Sequence, residues 1–170
     1  MDNKTYLIDS NTLITPFKTY YPFDFAPSLW VFLGNNMLND RIVVLSKVFA
    51  EISKGTDELA KWIVGLGLTT IDHRIPAILS KYQDVLTHIQ TSITLYNSKA
   101  LAEWSDNNRA DAWLVAASMA NGYKLVTFER PNSSLGTNLT SHPKIPDVAT
   151  YFGIECVSLY EMMRDLGFRF

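Results

Sequence analysis

With 170 residues, 47% of them hydrophobic and 12% aromatic, the chain can bury a sizeable core without disulfide or metal staples, and its length suits one domain over 1–170. Charged residues at 19% and a net charge of −2 exclude a disordered tail, a long coiled coil and a strongly basic face for nucleic acid. A lone cysteine, Cys156, points to a reducing compartment, and no run approaches the roughly 18 apolar residues of a membrane helix or the apolar stretch of a secretory signal, so a cytoplasmic protein with no membrane contact is expected.

Residues 5–9 read as a buried strand ending in the carboxylate of Asp9, with Ser10, Asn11 and Thr12 opening a helix. The segment 16–32 holds seven aromatics and three prolines and is too interrupted for a long helix. Within and beyond it, 26–38 looks helical, with Pro27 in the first turn. A second strand follows at 41–45, then a short helix over 47–54 capped by Ser46 and stopped at Gly55. Thr56 starts the next helix, with Asp57 and Glu58 at its positive end, and Gly65 closes it.

Over 76–95 the apolar residues Ile78, Leu79, Tyr82, Val85, Leu86, Ile89 and Ile93 fall on one helical face. A polar stretch at 105–108 precedes an apolar helix over 110–121 that ends at Gly122, and 123–127 is a third strand. The Asn-, Ser-, Thr- and Pro-rich segment 130–144 reads as a surface loop. After it come a helix over 145–152 with Pro146 near its start, a strand over 154–157 and a last helix to Gly167, begun by the capping-box pair Ser158 and Glu161. Strands alternating with helices predict a three-layer α/β fold around a mostly parallel sheet.

Such sheets bind ligands beyond the carboxyl ends of their strands. Asp9 closes the first strand, Glu51 lies in the helix after the second, Asp111 opens the helix leading into the third, and Glu129 follows the third. Singly each has an ordinary explanation, a cap, a solvated side chain or a dipole partner. Gathered together they would repel, and a hard divalent cation with oxygen ligands removes that penalty. Dinucleotide and P-loop motifs are missing, and His73, His88 and His142 show no zinc spacing with Cys156. Cys156 reads as a strand residue and His88 as a surface or structural one. The aromatics of 16–32 suit core or dimer packing better than base stacking.

The opening Tyr6-Leu-Ile-Asp9-Ser-Asn11-Thr-Leu-Ile resembles the first motif of PIN-domain nucleases, Val48-Phe-Ala-Glu51-Ile their second, Ala110-Asp111-Ala-Trp-Leu-Val-Ala-Ala-Ser their third, and Leu125-Val-Thr127-Phe-Glu129 their fourth, where many members carry Asp. Within that superfamily Lys144-Ile-Pro-Asp-Val and Gly153-Ile-Glu-Cys-Val are similar to the PIN-like group DUF4411. The resemblance implies a PIN-like sheet of four or five strands and a metal-dependent endoribonuclease, commonly the toxin of a type II toxin–antitoxin pair. On it, Asp9, Glu51, Asp111 and Glu129 are the catalytic acids and bind one or two Mg²⁺ or Mn²⁺ ions. Asn11 and Thr127 then bond the carboxylates or the substrate phosphate, and Asp106 and Asp147 stand behind them, Asp147 as the rival of Glu129 for the fourth acid. RNA is the implied substrate, with an antitoxin protein and a second copy of the chain as partners. Two alternatives stay open: an inactive PIN-like scaffold that only binds a partner, and another Mg²⁺-dependent phosphohydrolase, against which Asn11 stands where a phosphatase usually has a second Asp.

Overall fold

Tyr6, Leu7 and Ile8 are almost wholly buried, so the first strand, β1 (Tyr6–Ile8), has side chains covered on both of its faces. A parallel sheet sandwiched between helices covers its strands in that way. The computed structural model, which describes residues 4–169, has that architecture: β2 (Ile42–Val43), β1, β3 (Lys124–Val126) and β4 (Cys156–Val157) lie in the order β2-β1-β3-β4, every neighbouring pair parallel. Helices flank the sheet, which makes a three-layer α/β fold consistent with the PIN-like expectation. Among the described residues the sheet has four strands, at the lower end of what was expected.

Most helices form where the sequence places them. α1 (Asn11–Thr19) follows β1 but runs through Pro16, which costs one helical bond to Thr12 and leaves only three helical residues beyond it. α2 (Pro27–Leu38) starts on its proline, and the chain between α1 and α2 is irregular, as the prolines require. α3 (Ser46–Ser53) differs in its cap. Ser46 is already helical, and its hydroxyl accepts from the His73 N–H (3.3 Å) and lies 2.8 Å from His73 Nδ1 instead of serving its own helix. In α4 (Glu58–Gly65) the cap is Asp57, accepting from Ala60 N–H at 3.0 Å, and Thr56 stands outside it.

α5 (Pro76–Thr91) stops a turn before the predicted end, at Ser92. Ile78, Val85 and Ile89 are buried, but Leu79 is 40% exposed and Ile93, past the helix, 74%. The stretch between carries α6 (Ser98–Trp104), which the sequence reading missed. Its seven residues are too few to show a period, and Asn97 caps it by accepting from Lys99 N–H.

α7 (Asp111–Asn121) is buried continuously from Ala112 to Ser118, the mark of a helix covered all round. It packs against α5, β3 and α8 (Ile145–Tyr151), and Gly122 ends it in the left-handed conformation at φ 71°. α9 (Leu159–Asp165) closes the described chain with the predicted box, Ser158 accepting from Glu161 N–H and Glu161 from Ser158 N–H. The 130–144 loop is strapped down rather than free. Thr140 N–H donates to Leu95 C=O, Asn97 N–H to Thr140 C=O, both at 3.0 Å, and buried Trp104 Nε1 donates to Pro143 C=O at 3.2 Å. No helix among the described residues is long and apolar enough to cross a membrane.

The strand order locates the ligand crevice. From β1 the chain builds β2 on one side, then crosses to build β3 and β4 on the other. The switch point therefore lies between the carboxyl ends of β1 and β3.

Candidate functional site

Asp9 is the first residue beyond β1, with its N–H donating to Val126 C=O on β3 at 3.0 Å, so it sits in that crevice by construction. It is only 5% exposed. Its carboxylate receives two long hydroxyl bonds, from Ser10 and from Thr127, each 3.4 Å, and a backbone bond from Ser10 that favours the ionised form. Burial, and then the charges of Asp111, Glu129 and Glu51 in falling order, push its pKa from an ordinary 3.8 up to about 7. The other three acids read from the sequence thus all act on Asp9 electrostatically.

Their surroundings differ. Asp111, at the first turn of α7, is forked by Arg109: Nε and Nη2 reach its Oδ2 at 3.0 and 2.8 Å, which leaves Oδ1 outside the fork. Arg109 also meets Glu103 Oε1 at 2.8 Å. Glu129, three residues past the end of β3 at Val126, accepts from Ile145 N–H at 2.7 Å through Oε2, and Lys144 Nζ is 3.7 Å from its Oε1. Thr127 joins the two halves, donating to Asp9 while accepting from Glu129 N–H at 3.1 Å. Glu51 is exposed on α3 and acts on Asp9 most weakly of the three.

Three further sequence candidates stand apart. Asn11 is exposed on the first turn of α1. Asp106 closes an Asx turn by accepting from Asn108 N–H at 2.8 Å. Asp147 accepts from Asn132 N–H at 2.9 Å and from Lys144 N–H at 3.4 Å, so it ties the long loop to the start of α8. Arg109, Lys144 and Ser10 were not singled out from sequence. Arg109 had a signal, a fixed cation two residues before an acid that opens a helix, whereas Lys144 reaches Glu129 only through the fold.

Nucleophile chemistry has no support elsewhere. Burial, with Glu129 adding to it, drives the Cys156 thiol up to about 11, which keeps it protonated. His88 is more buried than expected, stacked on Tyr151 at 3.6 Å with Nδ1 3.1 Å from the Ser92 hydroxyl, and serves the core.

The family described as "Domain of unknown function (DUF4411)" matches residues 6–170. The chain belongs to the DUF4411 family. No curated protein matches it. All four acids of this DUF4411 chain lie inside the matched span, as do the cations that hold two of them.

The donor set suits a hard divalent cation in kind, being all carboxylate and hydroxyl oxygen around a buried acid that its neighbours repel. Among the described residues no three histidine, cysteine, aspartate or glutamate side chains stand close enough to hold an ion as they are oriented. The reason is local: Arg109 draws Asp111 aside, and the Ile145 N–H draws Glu129.

Proposed function

We propose that this DUF4411 protein is a Mg²⁺- or Mn²⁺-dependent endoribonuclease, with Asp9, Asp111, Glu129 and Glu51 as its acids. One observation carries the reading: Asp9 is buried at the switch point of a parallel sheet, three other carboxylates raise its pKa, and among the described residues no cationic side chain bonds it, only the Ser10 and Thr127 hydroxyls and the Ser10 backbone. Nothing in packing requires a carboxylate there. A strand-terminal acid kept for structure would cap α1, yet Ser10 and Asp9 leave the start of that helix without a side-chain cap.

A bound divalent ion supplies a water of lowered pKa and a positive charge against the phosphate oxygens. Asp9 and the free Oδ1 of Asp111 would hold it, with Glu129 and the more exposed Glu51 at the rim. Thr127 links the Asp9 carboxylate to the backbone of Glu129. Arg109 holds Asp111 through Oδ2 alone, which leaves Oδ1 for the ion. The resemblance to toxin nucleases adds a protein antitoxin and a second copy of the chain as partners in this proposal.

The test is cleavage of single-stranded RNA with Mn²⁺ by purified variants, folding checked by circular dichroism. Asp9→Asn and Asp111→Asn should abolish cleavage, since Asn keeps the size but loses the charge that attracts a hard cation. Glu129→Gln should cost less, and Asp147→Asn little. Cleavage at the wild-type rate by Asp9→Asn would end the proposal.

A further inference from the structure

Beyond Thr127 the crevice opens into a cavity of about 480 Å³ between the ends of β3 and β4 and the start of α8. Thr127 and Glu129 belong to its wall, so it borders the acids at Glu129 itself and, through Thr127, at Asp9. Phe128, Pro131, Pro146, Ile154 and Tyr160 give it flat apolar surfaces. Its floor is the chain from Ile154 to Ser158, which is β4 and its flanks, the edge of the sheet.

The ladder decides what that edge offers. Leu125 N–H donates to Glu155 C=O at 3.0 Å and Thr127 N–H to Val157 C=O at 3.2 Å. By alternation, residues 154, 156 and 158 turn their N–H and C=O groups outward. Ile154 N–H is taken by Ala149 C=O at 2.9 Å, and Ser158 N–H by Glu161 Oε2 at 2.7 Å. Among the described residues, Cys156 is left as the position on that edge whose main-chain donor is not spent within the chain. A single donor–acceptor pair is too little for an added peptide strand, which needs several in alternation. It matches the adjacent donor and acceptor on the edge of a nucleobase, and the apolar walls match its faces.

We propose that this cavity is a nucleobase subsite, taking the base of a nucleotide next to the phosphate at Asp9 and reading it through the Cys156 main chain. The proposal rests on the RNA reading above. Charge agrees with it. Arg130 is exposed on the rim and Lys144 stands beside Glu129, placed for the flanking phosphates, whereas Glu155 is neutralised by Lys124 at 2.5 Å.

Two measurements separate this from the parent reading. In the first, ¹⁵N-labelled protein is titrated with the four nucleoside 5′-monophosphates and with inorganic phosphate. The Cys156 amide should shift with at least one nucleotide and not with phosphate. Thr150→Trp, which fills the cavity from the exposed last turn of α8, and Tyr160→Ala, which removes a wall, should each weaken that nucleotide about tenfold, the worth of one stacked base. In the second, cut sites are mapped on random-sequence RNA. The wild type should prefer certain bases at one position beside the cut, and both variants should flatten that preference. A Cys156 amide unmoved by all four nucleotides overturns the subsite, as does a base preference unchanged in both variants. A wild type that cuts no RNA defeats the parent reading alone, because the amide titration still decides the subsite.

Discussion

The two ends of the parallel sheet treat charge in opposite ways. At the amino end the polar groups are paired: Lys124 Nζ meets Glu155 Oε1 at 2.5 Å, and the Tyr6 hydroxyl donates to Asp165 Oδ2 at 2.8 Å. At the carboxyl end Asp9 is buried with two weak hydroxyl bonds, one backbone bond from Ser10, no cationic partner among the described residues and three carboxylates acting against it. The first end is arranged for stability. The second gives stability up, and groups that do so in a fold of this kind cluster where ligands bind.

The sharpest way to break that contrast is to remove the repelled charge. A raised acid pKa means that the native state holds the Asp9 proton where the unfolded chain has lost it, so stability falls as pH rises between about 3.8 and 7 and the loss is complete above about 7. The full shift corresponds to about 4 kcal/mol at most. Asp9→Asn should therefore stabilise the metal-free protein at pH 8. Between pH 8 and 6.5 the wild type alone should gain about 1 kcal/mol. That window avoids the opposite trend below it from His73 and His88, whose pKa values burial lowers. Thermal melts of both proteins across that range check it, and parallel curves would remove Asp9 from the strained end.

Adding the missing countercharge is the second way. Millimolar Mg²⁺ or Mn²⁺ should raise the melting temperature, by about 2.7 kcal/mol of stability at a hundredfold excess over Kd, and Asp9→Asn should lose most of that gain. Melting temperatures indifferent to both ions would leave the acids without a metal role.

Asp147 offers a smaller test, because it lies near the strained end but is fully engaged. Asp147→Ala should cost about 1–2 kcal/mol through the lost bonds from Asn132 and Lys144, seen in denaturant unfolding. Smallest of all, Lys124→Ala at the paired end should cost under about 1 kcal/mol, since Glu155 is largely exposed. A larger loss than that of Asp147→Ala would reverse the ranking of the two ends.

The aromatic segment 16–32 shows where composition misleads. Phe17, Phe23 and Trp30 pack on one another, and Phe23 and Trp30 on Trp62 of α4, with Phe23 and Trp30 stacked at 4.5 Å, so much of what reads as an exposed apolar patch is packed against the core. Tyr20 and Phe25 remain exposed. The proposed dimer therefore has a smaller apolar face to use than the sequence suggests, and light scattering at micromolar concentration measures it directly.

Local signals were enough for what depends on neighbours in sequence. The buried run at Tyr6–Ile8, the proline starts of α2 and α5, the left-handed Gly122 and the Ser158–Glu161 box each arise from a few adjacent residues, and each stands as read. Asp9, Asp111 and Glu129 were legible for the same reason, since each lies at the end or start of such an element. What the chain alone could not settle is whatever joins distant segments. Ser46 bonds His73 rather than its own helix, Trp104 at the end of α6 bonds Pro143, and Asp147 is claimed by Asn132. Above all, the strand order β2-β1-β3-β4 sets Asp9 beside Thr127 across 118 residues of sequence. Burial and like charge at that junction, both products of tertiary packing, turn a strand-terminal aspartate into one whose pKa stands near 7.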